Sequence, residues 1–158
     1  MGRAYVGLGS NLGDRSATLA CALELLGGRQ GIDIVAVSSF RETDPVGYLD
    51  QPRFLNAAVA IETSLQPEAL LLVLLDIERE LGRTREGPRY GPRTVDLDLL
   101  LVEGVTVDEP GLTVPHPRLH ERAFALAPLA ELEPSLVVPG HGSVGQLLDR
   151  LETLESSP

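Results

Sequence analysis

Residues 94–102 read TVDLDLLLV, an apolar run interrupted by two acids, and they supply the last of four predicted strands. Working back from there, residues 67–82 (PEALLLVLLDIERELG) predict a helix that opens with Pro and closes with Gly. Residues 32–40 (IDIVAVSSF) and 54–63 (FLNAAVAIET) predict two further strands. At the start, residues 3–9 (RAYVGLG) predict a strand, and residues 16–26 (SATLACALELL) have helical spacing.

The resulting order β, α, β, β, α, β predicts an α+β fold of the ferredoxin-like kind. In that arrangement a four-stranded, mostly antiparallel sheet carries both helices on one face. Residues 104–158 predict a C-terminal extension with short strands and helices, including a helix near 122–131 and a last helix near 143–154. The length of 158 residues fits one domain spanning 1–158.

Composition excludes several classes of protein. All 13 basic residues are arginine, so mechanisms that need a catalytic lysine, such as P-loop, protein-kinase or Schiff-base chemistry, are ruled out. A net charge of -10 and few aromatic residues argue against a nucleic-acid partner. No apolar run is long enough to span a membrane, so we expect a cytoplasmic protein. We expect the single cysteine, Cys21, to be a buried thiol.

Asp96 and Asp98 form the sharpest local signal. Side chains alternate along a strand, so both carboxylates would share one face, about 6.6 to 7 Å apart, while Leu97, Leu99 and Leu101 face the other way. Two such carboxylates suit a hard cation such as Mg²⁺. The alternative, favoured by this spacing alone, is a solvated sheet face.

The segment just before this strand, residues 83–93 (RTREGPRYGPR), is rich in Gly, Pro and Arg, which predicts a loop. Arginine side chains bind phosphate oxygens in a bidentate manner. A cationic loop beside two metal carboxylates therefore indicates phosphoryl chemistry. The alternative is a surface loop paired with nearby glutamates. The cations are Arg83, Arg85, Arg89 and Arg93, and the candidate partners are Glu78, Glu80 and Glu86.

Two asparagines and one glycine-rich segment are further candidates. Residues 7–13 (GLGSNLG) have the spacing G-x-G-x-x-x-G, which is one residue too long for a dinucleotide-binding loop. They instead predict a turn before a helix, capped by Asn11 or Asp14. Asn56 lies close to Phe54, and such a pair suits the edge and face of a flat heterocycle, although an asparagine that satisfies backbone groups is the commoner case.

His116 lies between two prolines and suits a phosphate contact. Together with His120 it could instead bind zinc, but only if this segment were helical, which the prolines disfavour.

These motifs together resemble one family, the 6-hydroxymethyl-7,8-dihydropterin pyrophosphokinases of folate biosynthesis. The similarity covers nearly the whole chain. It rests on five ordered blocks: GLGSNLGDR at 7–15, ETDPVG and QPRFLNAAVAIET within 42–63, IERELGR at 77–83, RYGPRTVDLDLLL at 89–101 and LTVPHPRLHERAF at 112–124.

The resemblance implies transfer of pyrophosphate from ATP to the hydroxymethyl oxygen of the pterin, with release of AMP, by a monomer. It implies that Asp96 and Asp98 hold two Mg²⁺ ions, and that Arg83 and Arg93 act with them as catalytic residues.

The resemblance also implies two substrate pockets. The pterin would stack between Phe54 and Phe124 and be read by Asn56 and by backbone groups at Thr43 and Val46. ATP would be held by arginine and histidine side chains, with other residues lining its pocket and one aromatic residue on a closing loop. The first group is Arg83, Arg85, Arg93, His116 and Arg122; the lining is Glu78, Leu99 and Thr113; and the aromatic residue is Tyr90.

Four positions, Leu75, Tyr90, Gly111 and Pro117, differ from the residues that some members of this family carry there. Two other classes of protein share part of the pattern. One is a catalytically silent ligand-binding module on the same fold, which would have no use for the acidic pair and the arginine loop. The other is a nucleotidyltransferase that uses the same aspartates but releases pyrophosphate instead of AMP.

Overall fold

The structure is a computed structural model that describes residues 2–11, 13–43, 53–82 and 95–156. Within these ranges the strands are β1 (Gly2–Ser10), β2 (Ile32–Val37), β3 (Arg41–Thr43), β4 (Phe54–Thr63), β5 (Asp96–Val102), β6 (Val107–Glu109), β7 (Leu112–Val114), β8 (Val137–Val138) and β9 (Gly142–Ser143). The helices are α1 (Arg15–Gly27), α2 (Pro67–Gly82), α3 (Ala123–Leu132) and α4 (Val144–Ser156), with a 3₁₀ turn at Leu119–Glu121.

The main sheet is antiparallel and has β1 at its centre. β1 pairs with β4 on one side and with β5 on the other, and β2 pairs with the far edge of β4, giving the order β2-β4-β1-β5. β3 also pairs with β4. The mixed α/β class and the antiparallel sheet are thereby confirmed, whereas β3 is a strand that the sequence did not predict separately.

β2 is shorter than predicted, and Ser38 lies where the strand stops. The Ser38 hydroxyl accepts a hydrogen bond from Ala58 N at 2.9 Å, so a side chain occupies a place that a backbone carbonyl takes in a regular ladder. The chain then resumes pairing with β4 as the three-residue strand β3. This local competition is the reason that the prediction merged β2 with the residues up to Phe40.

The first helix pair covers one face of the sheet. Leu19, Ala22 and Leu26 of α1 recur at helical spacing and are almost fully buried, as are Leu70, Leu74, Ile77 and Leu81 of α2. They form one cluster with Val6, Leu8, Val59 and Ile61 of the sheet. Each buried leucine or isoleucine contributes about 1.5 to 3 kcal/mol, so this layer is the main support of the fold.

Cys21 does not belong to this buried stripe and is exposed, so the expectation of a buried thiol is wrong. Leu19, Ala22 and Leu26 form the buried face of α1, and Cys21 points away from that face.

Among the described residues, the opposite face of the sheet is covered at one end only. There α3 and α4 pack on Tyr5, Ala58 and Ala60 through leucines such as Leu126 and Leu129. The other end of the same face presents Gly7 and Gly9 of β1 and the first residues of β4 and β5. The uncovered end becomes the floor of a cavity.

A bulge in β5 corrects one detail of the predicted alternation. Val6 pairs with Leu99 and Tyr5 with Leu101, so Leu100 is an extra residue. Leu97 and Leu99 lie among the residues under α1 and α2, as predicted. Leu101, predicted to join them, lies instead with Leu100 on the face of α3 and α4, because the bulge reverses the alternation.

In the ranges described here, no helix has both the length and the apolar composition needed to cross a bilayer.

Candidate active site

The uncovered end of the sheet opens into a cavity of about 730 Å³. Its floor comes from β1, β4 and β5, and its wall comes from residues 116–125, which contain the 3₁₀ turn and the start of α3. The lining comprises Gly7, Leu8, Gly9, Thr43, Phe54, Asn56, Ala57, Asp96, Asp98, Leu100, His116, Arg118, Leu119, Glu121, Arg122, Ala123, Phe124 and Ala125. Residues far apart in sequence thus meet in one place.

Asp96 and Asp98 project into this cavity from the start of β5. Their partners across the strand pair are Gly9 and Gly7, which have no side chains to shield the carboxylates. The prediction that the two aspartates share a face is therefore confirmed. Two hard, adjacent oxygen donors that open onto a cavity fit a divalent cation, whose remaining ligands would be phosphate oxygens and water.

Gly9 separates Asp96 from Asn56. Asn56 pairs with Gly9 from β4, and Asp96 pairs with it from β5, so the asparagine and the aspartate lie two strand spacings apart, about 10 Å between backbones. A methyl group built on Gly9 would approach Asn56 Oδ1 to 2.8 Å. The absence of a side chain at Gly9 therefore keeps this part of the floor flat and leaves the asparagine in place.

The Asn56 side chain is held by Thr43. Asn56 Nδ2 donates a hydrogen bond to Thr43 Oγ1, and both residues line the cavity beside Phe54. Asn56 is 8 % exposed, so its amide oxygen is oriented before any ligand arrives. An oriented amide next to an aromatic ring suits the edge and the face of a flat heterocycle.

The opposite wall carries an aromatic ring with a cation above it. The guanidinium carbon of Arg122 lies 5.6 Å from the centre of the Phe124 ring, within the range of a cation–π contact. Arg122 precedes the first residue of α3, so both side chains are placed by the beginning of that helix.

His116 is fixed by its own backbone. Its N–H donates to Leu100 O at 2.9 Å, and its ring Nδ1 accepts a hydrogen bond from Arg118 N at 3.2 Å. With Nδ1 as acceptor, the proton of the neutral ring lies on Nε2. Burial lowers the pKa of His116 below its ordinary value of 6.5, and Arg122 and Arg118 add to this effect while Asp98 opposes it.

Three residues predicted to line a nucleotide pocket lie outside this cavity. Leu99 packs on the other face of the sheet, and Thr113 is exposed on β7, opposite Asp108. Glu78 of α2 has a different contact, because its Oε2 accepts a hydrogen bond from Leu97 N at 2.8 Å. Glu78 thus ties α2 to the stretch of β5 between the two aspartates.

Five predicted site residues, Val46, Arg83, Arg85, Tyr90 and Arg93, fall in 44–52 and 83–94 and so lie outside the described residues. Sequence reasoning assigned no role to Arg118 and Glu121, which line the cavity and approach each other to 3.6 Å. The only sequence feature that could have indicated a role for Arg118 and Glu121 is that they lie in the same short segment as His116 and Arg122.

The zinc alternative finds no support in the residues described. His120 stacks on His141, with ring centres 3.8 Å apart, whereas His116 faces the cavity. No group of three or more His, Cys, Asp or Glu suited to a metal occurs in those residues. The predicted cap of α1 is settled in favour of Asp14, whose Oδ1 accepts a hydrogen bond from Ala17 N at 3.1 Å.

The fold and the cavity define a mixed α/β protein with an open cavity, lined by acidic, basic and aromatic side chains, on one face of an antiparallel sheet. Residues 5–134 match the sequence model of the family described as 7,8-dihydro-6-hydroxymethylpterin-pyrophosphokinase (HPPK). The chain therefore belongs to this family, which makes it an ATP-dependent diphosphotransferase.

Relatives support the same assignment. The chain is 51 % identical over 152 residues to the 2-amino-4-hydroxy-6-hydroxymethyldihydropteridine pyrophosphokinase of Methylorubrum extorquens, covering 96 % of this chain and 95 % of the relative. It is 55 % identical over 129 residues to the enzyme of the same name from Bacillus subtilis, covering 82 % and 77 % of the two chains.

Solved structures agree on the fold. A crystal structure of HPPK-DHPS in complex with substrates has a TM-score of 0.79 at 13 % identity, covering 99 % of this chain and 44 % of that one. Wild-type HPPK-DHPS of Plasmodium falciparum with STZ-DHP has a TM-score of 0.73 at 15 % identity, covering 94 % and 43 %. The present chain thus spans less than half of these longer proteins.

Proposed function

We propose that the chain carries out the family reaction in this cavity, transferring pyrophosphate from ATP to the hydroxymethyl oxygen of 6-hydroxymethyl-7,8-dihydropterin in folate biosynthesis. The observation that carries the proposal is the placement of Asn56 and Asp96 on either side of Gly9. The Asn56 amide, which would bind the heterocycle, and the Asp96 carboxylate, which would bind a metal ion, are then about 10 Å apart at the backbone. This separation is about the length of a small substrate.

The pterin would lie over Gly9. Phe54 on the floor and Phe124 on the wall line the same cavity, so a flat ring placed between them would be stacked on both sides. The Asn56 amide, fixed by Thr43, would form hydrogen bonds with the ring edge. The Val46 backbone is a further proposed contact. In this pose the hydroxymethyl group would point towards β5 and its aspartates.

Asp96 and Asp98 would hold two Mg²⁺ ions. Their shared face and the unshielded space over Gly7 and Gly9 fit oxygen-rich coordination completed by phosphate oxygens and water. When bound, the ions would neutralise the triphosphate and polarise the phosphorus that is attacked. The role of the two aspartates would be to position the positive charge of the ions beside the triphosphate.

ATP would extend from the aspartates along the wall. His116 and Arg122 both line the cavity and offer hydrogen-bond donors to phosphate oxygens. From residues 83–94 we propose Arg83, Arg85 and Arg93 as further phosphate ligands, with Arg83 and Arg93 acting catalytically and Tyr90 closing over the site. We also propose Glu78, Leu99 and Thr113, which lie outside the cavity described above, as residues that line a further part of the ATP pocket.

The chemistry forms one bond and breaks one. The substrate hydroxyl oxygen attacks the β-phosphorus, the bond from that phosphorus to the oxygen bridging to the α-phosphate breaks, AMP leaves, and the hydroxyl proton passes to solvent. The side chains act by binding, orienting and supplying positive charge, without a covalent intermediate. AMP as product distinguishes this reaction from nucleotidyl transfer and from ordinary kinase chemistry.

We propose the ferredoxin-like arrangement for the domain, supported by the strand order and by the shared face of α1 and α2. We also propose that residues 1–158 form a single domain that acts as a cytoplasmic monomer.

Product analysis tests the function. The protein is incubated with ATP, Mg²⁺ and 6-hydroxymethyl-7,8-dihydropterin, and nucleotides are separated by ion-exchange chromatography. We expect AMP and the pterin diphosphate in equal amounts. Formation of ADP, release of free pyrophosphate or absence of turnover would each contradict the proposal.

A further inference from the structure

Arg15, the first residue of α1, contacts two chain positions that border the pterin side of the cavity. Its Nη1 donates to the carbonyl oxygen of Arg53 at 2.8 Å, and its Nη2 donates to Glu42 Oε1 at 2.9 Å. The other oxygen of Glu42 lies 3.4 Å from Arg53 Nη1. One guanidinium therefore joins the end of β3 to the residue that precedes β4.

The two residues it holds are direct neighbours of proposed pterin contacts. Glu42 precedes Thr43, which orients Asn56, and Arg53 precedes Phe54. Glu42 pairs with Leu55, so its side chain lies on the face of the sheet that carries α1, while Thr43 faces the cavity. Arg15 thus approaches the pterin floor from behind.

β3 depends on such a support because it is short. In the part of the chain that the structure describes, it makes three residue pairs with β4, and Thr43 forms the last of them. A three-residue strand has few backbone hydrogen bonds of its own and opens more easily than the long pairing of β1 with β4. A fixed contact at Glu42 would restrict the motion of Thr43 and, through it, of the Asn56 amide.

Arg15 itself is attached to a rigid element. Asp14 caps α1, and Leu19 and Leu26 anchor the helix in the core. By contrast, the helix dipole gives Arg15 no benefit, since a cation at a helix N-terminus is unfavourable. The placement of Arg15 therefore costs α1 some stability. Any benefit of this residue must come from its hydrogen bonds to Glu42 and to the Arg53 carbonyl.

We propose that Arg15 is a positioning residue for the pterin, acting through Glu42 and the Arg53 carbonyl to hold Thr43, Asn56 and Phe54 in their binding geometry. This inference rests on the pterin pocket proposed above. It assigns no role to residues 44–52.

The competing explanation is an ordinary surface ion pair, and the chain offers a matched control. Arg29 follows the other end of α1 and is ion-paired with Asp76 at 2.8 Å and Glu80 at 3.4 Å, away from the cavity lining. Its side chain is 30 % exposed, against 29 % for Arg15. Replacing either arginine removes a comparable surface pair, but only Arg15 contacts the pterin side.

The test compares Arg15→Ala, Arg15→Lys and Arg29→Ala by isothermal titration with the pterin, in the presence of Mg²⁺ and α,β-methylene ATP. That analogue occupies the nucleotide site without reacting, because its α–β bridge cannot be cleaved. We expect Arg15→Ala to raise the pterin Kd roughly tenfold, from the loss of charged hydrogen bonds that orient the pocket. Arg15→Lys should recover part of the affinity, and Arg29→Ala should match wild type.

Two further readouts separate positioning from general damage. The Kd of the analogue alone and the thermal midpoint should stay at wild-type values in Arg15→Ala. A pterin Kd within twofold of wild type, or an equal loss of affinity for both ligands, would overturn the inference. If Arg15→Ala does not fold, Glu42→Gln replaces it. In that variant Arg15 still donates a hydrogen bond to the Arg53 carbonyl, so we expect a smaller loss of pterin affinity than in Arg15→Ala.

This design also distinguishes the two proposals. A wild-type protein that binds the pterin but produces no AMP would refute the proposed function, while the Kd ratio would still decide the role of Arg15.

Discussion

At the scale of single residues, the acidic pair gives the most direct test of the site. Asp96→Asn and Asp98→Asn keep size and shape but remove the charge that would hold Mg²⁺, so kcat should fall by at least about a hundredfold. Steady-state assays over a range of Mg²⁺ concentrations measure this effect, and thermal unfolding checks the fold. Asp108→Asn, on the exposed strand β6, is the control and should retain wild-type kcat. If Asp96→Asn or Asp98→Asn had near-normal kcat at saturating Mg²⁺, the proposal that these aspartates bind Mg²⁺ would be wrong.

Gly9 allows a test by addition of one carbon. In Gly9→Ala the new methyl group would lie 2.8 Å from Asn56 Oδ1, so the amide must move away from its oriented position. Overpacking of this kind costs about 1 to 3 kcal/mol, and we expect the pterin Kd to rise roughly tenfold. Gly2→Ala changes the same strand where nothing lies within 4 Å and should bind normally. Equal affinities of the two variants would show that the floor tolerates side chains.

His116 predicts a coupling between nucleotide and protons. Burial lowers its pKa below 6.5, so at pH 7 the free protein has a neutral ring. A bound triphosphate favours the cation and should raise this pKa, so that binding takes up a proton and the contribution of His116 to ATP affinity weakens as the pH rises. An NMR titration of the imidazole protons with and without MgATP measures the shift. His116→Asn provides the assignment, and a pKa unchanged by MgATP would contradict the expected phosphate contact.

The residue types of the site were predictable, but their arrangement was only partly so. The shared face of Asp96 and Asp98 was predicted correctly because the period of a strand places alternate side chains on one face. Leu101 was misplaced because the same period fails at a bulge, and no local signal marks Leu100 as the extra residue. Arg15 received no role, since its contacts at Glu42 and Arg53 depend on pairings between distant segments.

At the scale of elements, α3 is attached to the sheet edge by Glu131. Its carboxylate accepts hydrogen bonds from Ser39 N and Ser39 Oγ at 2.6 Å and from Arg41 at 3.1 Å. These contacts, the Ser39 hydroxyl foremost, lower the pKa of Glu131 below its ordinary value of 4.5. The contribution to stability is therefore present above pH 4.5 and disappears as the pH falls through the lowered pKa.

Glu131→Gln should accordingly reduce the free energy of unfolding at pH 7 by up to about 1 kcal/mol, a value kept small because the pair is partly screened by solvent. Urea titrations at pH 7 and near pH 3 measure the difference, which should vanish in acid. Glu109→Gln, on the exposed strand β6, is the control and should give the wild-type free energy of unfolding at both pH values. A deficit of equal size at both pH values would mean that the charge of Glu131 is irrelevant.

The elements themselves were mostly predictable. Helix α2 has the predicted bounds because a proline and a glycine mark its ends. The break between β2 and β3 was missed because it depends on a hydrogen bond from Ala58 to the Ser38 hydroxyl. Helix α3 was found despite an internal proline, since the surrounding leucines keep helical spacing.

At the scale of the whole molecule, we predict a monomer in solution. The large apolar side chains that are exposed in the described residues lie on three separate elements: Val35 and Val37 on β2, Leu72 and Leu75 on α2, and Val137 on β8. Neither pair, nor Val137 alone, approaches the area of roughly 800 Å² per partner that a stable interface buries. Light scattering coupled to size exclusion should give 16.9 kDa. A mass twice as large at micromolar concentration would contradict the prediction.

Net charge describes the molecule poorly at this scale. The total of -10 would repel a nucleotide, yet the cavity lining mixes His116, Arg118 and Arg122 with three acids, Asp96, Asp98 and Glu121. The sequence of residues 83–93 contains four arginines and one glutamate. Association of an anion is governed by the local potential of the cleft it enters. The sequence total therefore predicts solubility and says little about the ligand.

The glycine floor also has a consequence for drug resistance. A mutation can alter what a side chain offers to an inhibitor, but it cannot remove the backbone atoms of Gly7 and Gly9. Any replacement of these glycines adds a side chain. At Gly9 the first atom of that side chain would already collide with Asn56 Oδ1, which the proposed substrate also contacts. A compound that derives most of its contact area from this strip would leave the organism few escape mutations that preserve its own substrate binding.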